Sequence, residues 1–154
     1  MVLHSEISFR RGDKVEVCSK VPGYIGSYFE ATVVANMGSN YVVQYKSLVE
    51  EYDESVPLKE TVMADEVRPM PPEVTEAPEF HIGNRVDAYD LDGWWVGTIS
   101  SENNVYGFHA VFFETTGEKI SYPLWNLRVH QDWRGGKWVV SSNNKKKKRL
   151  ALLF

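Results

Sequence analysis

Phe9-Arg10-Arg11-Gly12-Asp13-Lys14-Val15-Glu16-Val17 recurs as Phe80-His81-Ile82-Gly83-Asn84-Arg85-Val86-Asp87-Ala88. The offset of 71 residues holds at Phe9/Phe80, Gly12/Gly83 and Val15/Val86, and charge sign is kept at Lys14/Arg85 and Glu16/Asp87. Further blocks follow in the same order. Tyr28-Phe29-Glu30-Ala31-Thr32-Val33 answers to Trp94-Trp95-Val96-Gly97-Thr98-Ile99, and the stretch from Asn40 to Tyr45 answers to that from Gly107 to Phe113. Glu66-Val67-Arg68-Pro69 answers to Asn126-Leu127-Arg128-Val129. Blocks repeated in one order at similar intervals mark a tandem duplication.

Each copy reads as all-β. Lys14 to Val17 and Arg85 to Ala88 alternate polar and apolar residues, as half-buried strands do. Phe29 to Val34 and Trp95 to Ile99 supply second strands, and Tyr41 to Tyr45 and Phe108 to Phe113 third ones. Asn36-Met37-Gly38-Ser39-Asn40 and Glu102-Asn103-Asn104 carry turn residues between them. Short strands closed by tight turns point to a small barrel rather than a sandwich. A copy of about 60 residues is near the lower limit for independent folding, so the two barrels are expected to pack together. The one short helical candidate is Ser47 to Tyr52.

The expected organisation is a first barrel over residues 5–69, a linker over 70–79, a second barrel over 80–140 and a polar, basic tail over 141–154. Four prolines and no aromatic residue between Pro69 and Glu79 make the linker an extended spacer. The stretch from Asp132 to Val140 reads as a tight turn within a final strand pair. Lys145-Lys146-Lys147-Lys148-Arg149 reads either as a nuclear-import or nucleic-acid patch or as a solvated tail. From the abrupt apolar end, Leu150 to Phe154, the chain is expected to be a fragment of a longer one.

Of 154 residues, 43% are hydrophobic and 13% aromatic, enough for globular folding. The single cysteine, Cys18, excludes an internal disulfide and a thiolate zinc site and fits a reducing compartment. The N-terminus has no secretory pattern and no run approaches the roughly 18 apolar residues of a membrane helix, so a soluble, intracellular protein is expected. Net charge is −4, from 17 basic and 21 acidic residues. Setting aside Lys145 to Arg149 leaves 12 basic side chains against 21 acidic ones. An acidic surface repels phosphate backbones and steers cationic peptides inward.

Val21-Pro22-Gly23-Tyr24-Ile25-Gly26-Ser27-Tyr28-Phe29 interrupts the duplication, because five fewer residues separate the matching blocks of the second copy. Gly23 and Gly26 permit positive φ, so the chain turns tightly while presenting large rings. Rings at a loop–strand junction line a shallow cup well, and a ring face attracts a weakly hydrated methylated ammonium group. The competing reading is a hydrophobic hairpin that packs on itself.

Phe-x-x-Gly-Asp-x-Val-Glu-Val, Gly-Tyr-x-Gly-Ser-Tyr-Phe-x-Ala-Thr-Val, Tyr-x-Val-x-Tyr and Val-Arg-Pro-x-Pro-Pro resemble a plant Agenet domain. Gly-Trp-Trp-Val-Gly-Thr-Ile, Leu-Arg-x-His-x-Asp-Trp and Gly-Lys-Trp are similar to the second member of a tandem Agenet pair. The resemblance covers residues 7 to about 140. It implies two small five-stranded barrels of the Tudor-like, SH3-like kind. It also implies a histone reader of methylated lysine, as in heterochromatin-associated multi-Agenet proteins that read the histone-three tail dimethylated at its ninth residue. Gene silencing and a nuclear location come with that resemblance, and the fragment is expected to be monomeric.

By the same resemblance the methyl-lysine cage falls on Tyr24, Phe29 and Tyr45. Tyr28 is the alternative to Phe29, since neighbouring strand residues face opposite sides and only one can face the cup. Glu50, Glu51, Asp53 and Glu54 are the candidate carboxylates, which would favour dimethyl-lysine by accepting its remaining N–H; the competing reading is a solvated acidic loop. The second copy offers Tyr89, Trp94, Trp95 and Phe113 at matching places but has Leu91-Asp92-Gly93 where the first has its glycine turn. Its expected part is to present Asp87, Asp90 and Asp92 to the unmodified portion of a basic tail, with Trp95 and Trp133 in packing roles.

No enzymatic constellation stands out. His4, His81, His109 and His130 lack metal-ligand spacing, Cys18 has no histidine nearby in sequence, and there is neither a phosphate-cradling loop nor a nucleophile elbow. No cofactor, metal, membrane or small-molecule substrate is expected. Two other readings remain open: an RNA-binding tandem module, confined by charge to Lys145–Arg149, and a docking scaffold indifferent to methylation.

Overall fold

The computed structural model describes residues 7–73 and 79–140. It is all-β. The chain divides into two compact units at Pro71/Pro72, save that Leu91–Gly93 groups with the first.

The first unit comprises β1 (Lys14–Cys18), β2 (Ser27–Asn36), β3 (Asn40–Glu50), β4 (Asp53–Met63) and β5 (Val67–Pro69), with a 3₁₀ turn at Ala64–Glu66. Antiparallel pairing runs in the order β4-β3-β2-β1-β5. Val15, Val17, Phe29, Ala31, Val33, Tyr41, Val43 and Tyr45 point inward at every second position and form the core with Phe9, Val62 and Val67. At the barrel end Phe9 meets Tyr41 edge-on at 5.8 Å and its N–H donates to the Tyr41 hydroxyl at 3.1 Å.

The second unit repeats the plan with β6 (Arg85–Asp90), β7 (Gly93–Ile99), β8 (Phe108–Phe112), β9 (Lys119–Pro123) and β10 (Leu127–Val129), and a 3₁₀ turn at Leu124–Asn126. Pairing runs β9-β8-β7-β6-β10. The duplication is visible bond by bond. Gly12 N–H donates to Val33 O and Val33 N–H to Asp13 O, just as Gly83 N–H donates to Ile99 O and Ile99 N–H to Asn84 O. Phe80, Val86, Ala88, Ile99, Val111, Phe113, Tyr122 and Leu127 form this core. β11 (Gln131–Arg134) and β12 (Lys137–Val140) form the separate hairpin expected around Gly135-Gly136, with Trp133 and Trp138 facing each other at 5.2 Å.

One expectation changes. Ser47 to Tyr52 is not helical: β3 continues through Glu50, and the chain reverses at Glu51-Tyr52 into β4. The fourth strand of each copy, β4 and β9, had no strand signal in the sequence. Each pairs on one side only, and edge strands tolerate charge and proline, as Pro57 and Glu60 in β4 show. The basic run Lys145–Arg149 lies outside the described residues.

Both units are braced by an ion pair across their first strand. Glu16 stands opposite Arg68 in the β1–β5 register, and Arg68 Nη2 reaches Glu16 Oε1 at 2.7 Å with both side chains buried. Asp87 stands opposite Arg128 in the β6–β10 register, with Arg128 Nε at 2.8 Å from Asp87 Oδ2. Each guanidinium also covers an aromatic ring: Arg68 lies 3.5 Å from the Tyr28 centroid, and Arg128 lies 4.2 Å from that of Trp94. Stacking and pairing together compensate a guanidinium removed from water.

Candidate functional site

In the first unit the chain between β1 and β2, residues 19–26, is a surface loop that ends on an aromatic cluster. Gly23 and Gly26 sit at φ 91° and 85°, where a side chain is strained. Tyr24 N–H donates to Val21 O at 3.0 Å, and Ser27, fully buried, closes the turn by donating its N–H and its hydroxyl to Tyr24 O. On the loop's other flank Lys20 Nζ pairs with Asp65 at 2.8 Å.

The loop sets Tyr24, which is 51% exposed, against Phe29 at 6.5 Å between centroids, and Phe29 meets Tyr45 edge-on at 6.4 Å. The structure therefore brings together the three rings assigned to the cage. Their exposure is unequal: Phe29 and Tyr45 are only 5% and 6% exposed. They form a floor, and Tyr24 is the one open wall. Tyr28 and Phe29 face opposite sides of β2, as alternation requires, and Phe29 is the one at the ring cluster. β2 turns Phe29 to the core side with Ala31 and Val33, and Tyr28 lies on the other face beneath Arg68. With its own chain's cation over the ring, Tyr28 is not an alternative wall.

The carboxylate at the rings is Glu60, which the sequence reading missed. Tyr45 Oη donates to Glu60 Oε1 at 2.8 Å, and Glu60 is an exposed residue of β4 opposite Val43. Burial and the Glu60 hydrogen bond push the Tyr45 phenol well above its ordinary value of 10.0. Glu50, Glu51, Asp53 and Glu54 instead occupy the end of the β3–β4 hairpin. Glu54 is six residues from Glu60, roughly 20 Å along an extended strand. Asp53 there accepts from Ser55 N–H and hydroxyl, which lowers its pKa.

The second unit presents no matching cup. Its equivalents of Phe29 and Tyr45 are Trp95 and Phe113, and where Tyr24 stands in the first copy it has Asp90. Trp95 packs on the core and donates Nε1–H to Asp90 O at 2.8 Å. Phe113 is buried against Tyr122, whose hydroxyl donates to Asp90 Oδ2 at 2.8 Å. Tyr89 and Trp94 meet at 5.1 Å on the opposite face, under Arg128. Tyr89, Trp94 and Phe113 thus do not converge.

Asp87 is also corrected as a peptide contact. It is 1% exposed, and besides Arg128 its Oδ1 lies 2.7 Å from His130 Nδ1. Asp90 receives the Tyr122 hydroxyl, which leaves Asp92, exposed in the β6–β7 turn, as the one of the three that stands open to solvent. Among the described residues no group of three or more His, Cys, Asp or Glu side chains is placed to hold a metal.

Two five-stranded barrels in tandem, joined by a proline-rich segment, define a Tudor-like protein. Residues 12–72 match the Agenet domain family. The Arabidopsis thaliana protein AGENET DOMAIN (AGD)-CONTAINING P1 is 35% identical over 142 residues, covering 92% of this chain and 27% of that protein. DUF724 domain-containing protein 3 from the same plant is 32% identical over 142 residues, covering 85% and 20%. The crystal structure of Arabidopsis thaliana AGDP1 AGD34 superposes with a TM-score of 0.82 at 35% identity, over 87% of this chain and 90% of that one. The crystal structure of ADCP1 tandem Agenet domain 3-4 gives 0.78 at 33% identity, over 87% and 89%. The chain belongs to the Agenet domain family and spans about a quarter or less of the length of these curated relatives. Agenet domains are protein- and peptide-interaction modules of the chromatin-reader type.

Proposed function

We propose that the first unit reads a methylated lysine on a basic histone tail, most specifically lysine nine of histone three in its dimethylated form, and links that mark to heterochromatin and silencing in the nucleus. The observation that carries this reading is the meeting of Tyr24, Phe29 and Tyr45 beside the Glu60 carboxylate. A methylated ammonium keeps its charge but sheds hydration, so ring faces hold it by about 0.5–2 kcal/mol. A dimethylated lysine still has one N–H to donate to Glu60, and a charge-assisted hydrogen bond is roughly twice as strong as a neutral one. A trimethylated lysine has none. The excess of acidic over basic side chains supplies long-range attraction for the rest of a basic tail. The lysine and its methylation state rest on the site chemistry and on the family resemblance.

Titration of unmodified, mono-, di- and trimethylated histone-tail peptides tests the proposal. The expected order places the dimethylated peptide tightest, with modest affinity because a shallow cup buries little surface. Glu60→Gln is expected to narrow the preference for dimethyl over trimethyl. Equal affinity for all four peptides would leave a docking scaffold as the better description.

A further inference from the structure

Ser27 ties the exposed Tyr24 loop to the barrel. Its side chain is fully buried at the start of β2, whereas residues 20–25 are exposed throughout. The Ser27 hydroxyl and N–H both converge on the Tyr24 carbonyl. Further back, Tyr24 N–H donates to Val21 O, and Val21 N–H to Ser19 Oγ at 3.1 Å. The backbone that carries the Tyr24 ring therefore cannot swing without breaking two hydrogen bonds to one buried residue.

The second copy supplies the contrast. Gly93 stands where Ser27 stands in the repeat, and Asp90 where Tyr24 stands. The copy without the aromatic wall has no hydroxyl behind it. We propose that Ser27 is a positioning residue for Tyr24, holding that ring against Phe29 so that the wall is in place before the ligand arrives. This inference rests on the reader assignment above. Pre-ordering removes the cost of fixing the loop from the binding step, and that gain falls on the methylated lysine, which alone uses the wall.

The test compares wild-type protein, Ser27→Ala and Gly26→Ala against one histone-tail peptide in unmodified and dimethylated forms, with amide hydrogen exchange alongside. Gly26 is at φ 85° with no atom within 4 Å of an added Cβ, so Gly26→Ala strains the loop without touching the core. Both variants are expected to weaken the dimethylated peptide about tenfold, leave the unmodified one unchanged, and speed exchange only in residues 20–27. An unchanged affinity ratio in both variants, or an equal loss for both peptides, overturns the positioning role. A wild-type protein that does not distinguish the peptides overturns the reader assignment and this inference together.

Discussion

Between β1 and β2 the chain runs through residues 19–26 with Tyr24 at its bend; at the same corner of the second unit it reverses within Leu91-Asp92, both at positive φ, 48° and 65°. The first connection carries a ring to the barrel mouth and fixes it with Ser27. The second closes the mouth with Asp90, which takes the Tyr122 hydroxyl. Everything beneath is shared: the pairing order, the loop-to-strand hydrogen bonds, the buried ion pair and the arginine stacked on an aromatic ring. The difference teaches that duplicated parts answer to folding, whereas the one half-exposed ring of the cluster, Tyr24, sits in the insertion.

Breaking the shared brace is expected to have the largest effect. Glu16→Ala leaves Arg68 buried without its carboxylate and should destabilise the first unit by about 3–5 kcal/mol in denaturant unfolding. The matching Asp87→Ala should cost less on the Arg128 side, because the Arg128 side chain is 19% exposed and can reach water.

Breaking the difference comes next. Tyr24→Ala is expected to lower affinity for a dimethyl-lysine peptide about tenfold or more, equivalent to ~1.4 kcal/mol, with the melting temperature nearly unchanged because the ring is half exposed. Binding calorimetry paired with thermal melting reads both quantities.

Smaller effects sharpen the comparison. His109 holds the place of Tyr41, packs on Phe80 as Tyr41 packs on Phe9, and has a buried Nδ1 without a hydrogen-bond partner. His109→Tyr, offering a hydroxyl to the Phe80 backbone, should raise the stability of the second unit by about 1 kcal/mol. Replacing Leu91-Asp92 by Asn-Gly should relieve the left-handed turn by ~0.5–1 kcal/mol, read by thermal unfolding of the second unit.

The two phenols behave alike at high pH. Tyr45 and Tyr122 both have pKa values raised above 10.0, by burial first and by hydrogen bonds to Glu60 and Asp90 second. A raised value favours the neutral phenol in the folded state. Stability is therefore whole below about pH 10 and falls as pH climbs toward the folded-state values. Alkaline unfolding curves of Tyr45→Phe and Tyr122→Phe should show a weaker fall than wild type.

Much of the fold was legible because the duplication displays it twice. Val15/Val86 and Val33/Ile99 keep both β-branched apolar character and facing. β4 and β9 were not legible, since an edge strand carrying Asp53, Pro57 and Glu60 reads as loop by composition. Glu60 was hidden for the same reason, and the tip acids Glu50 to Glu54 drew attention through density alone. The ion pairs were half visible: Glu16/Asp87 and Arg68/Arg128 repeat in register, but nothing local says that charges 52 and 41 residues apart in sequence face each other inside a barrel. Alternation at Tyr28-Phe29 was legible, but Arg68 as the cover for Tyr28 was not, because it comes only with β5 in place.

The most direct measurement is backbone chemical-shift mapping of the protein as a dimethyl-lysine histone peptide is added. The account predicts the largest perturbations at Gly23 to Phe29, Tyr45 and Glu60, and their disappearance with the unmodified peptide. Perturbations centred on Tyr89, Trp94 and Phe113, with the 19–26 loop unmoved, would contradict it.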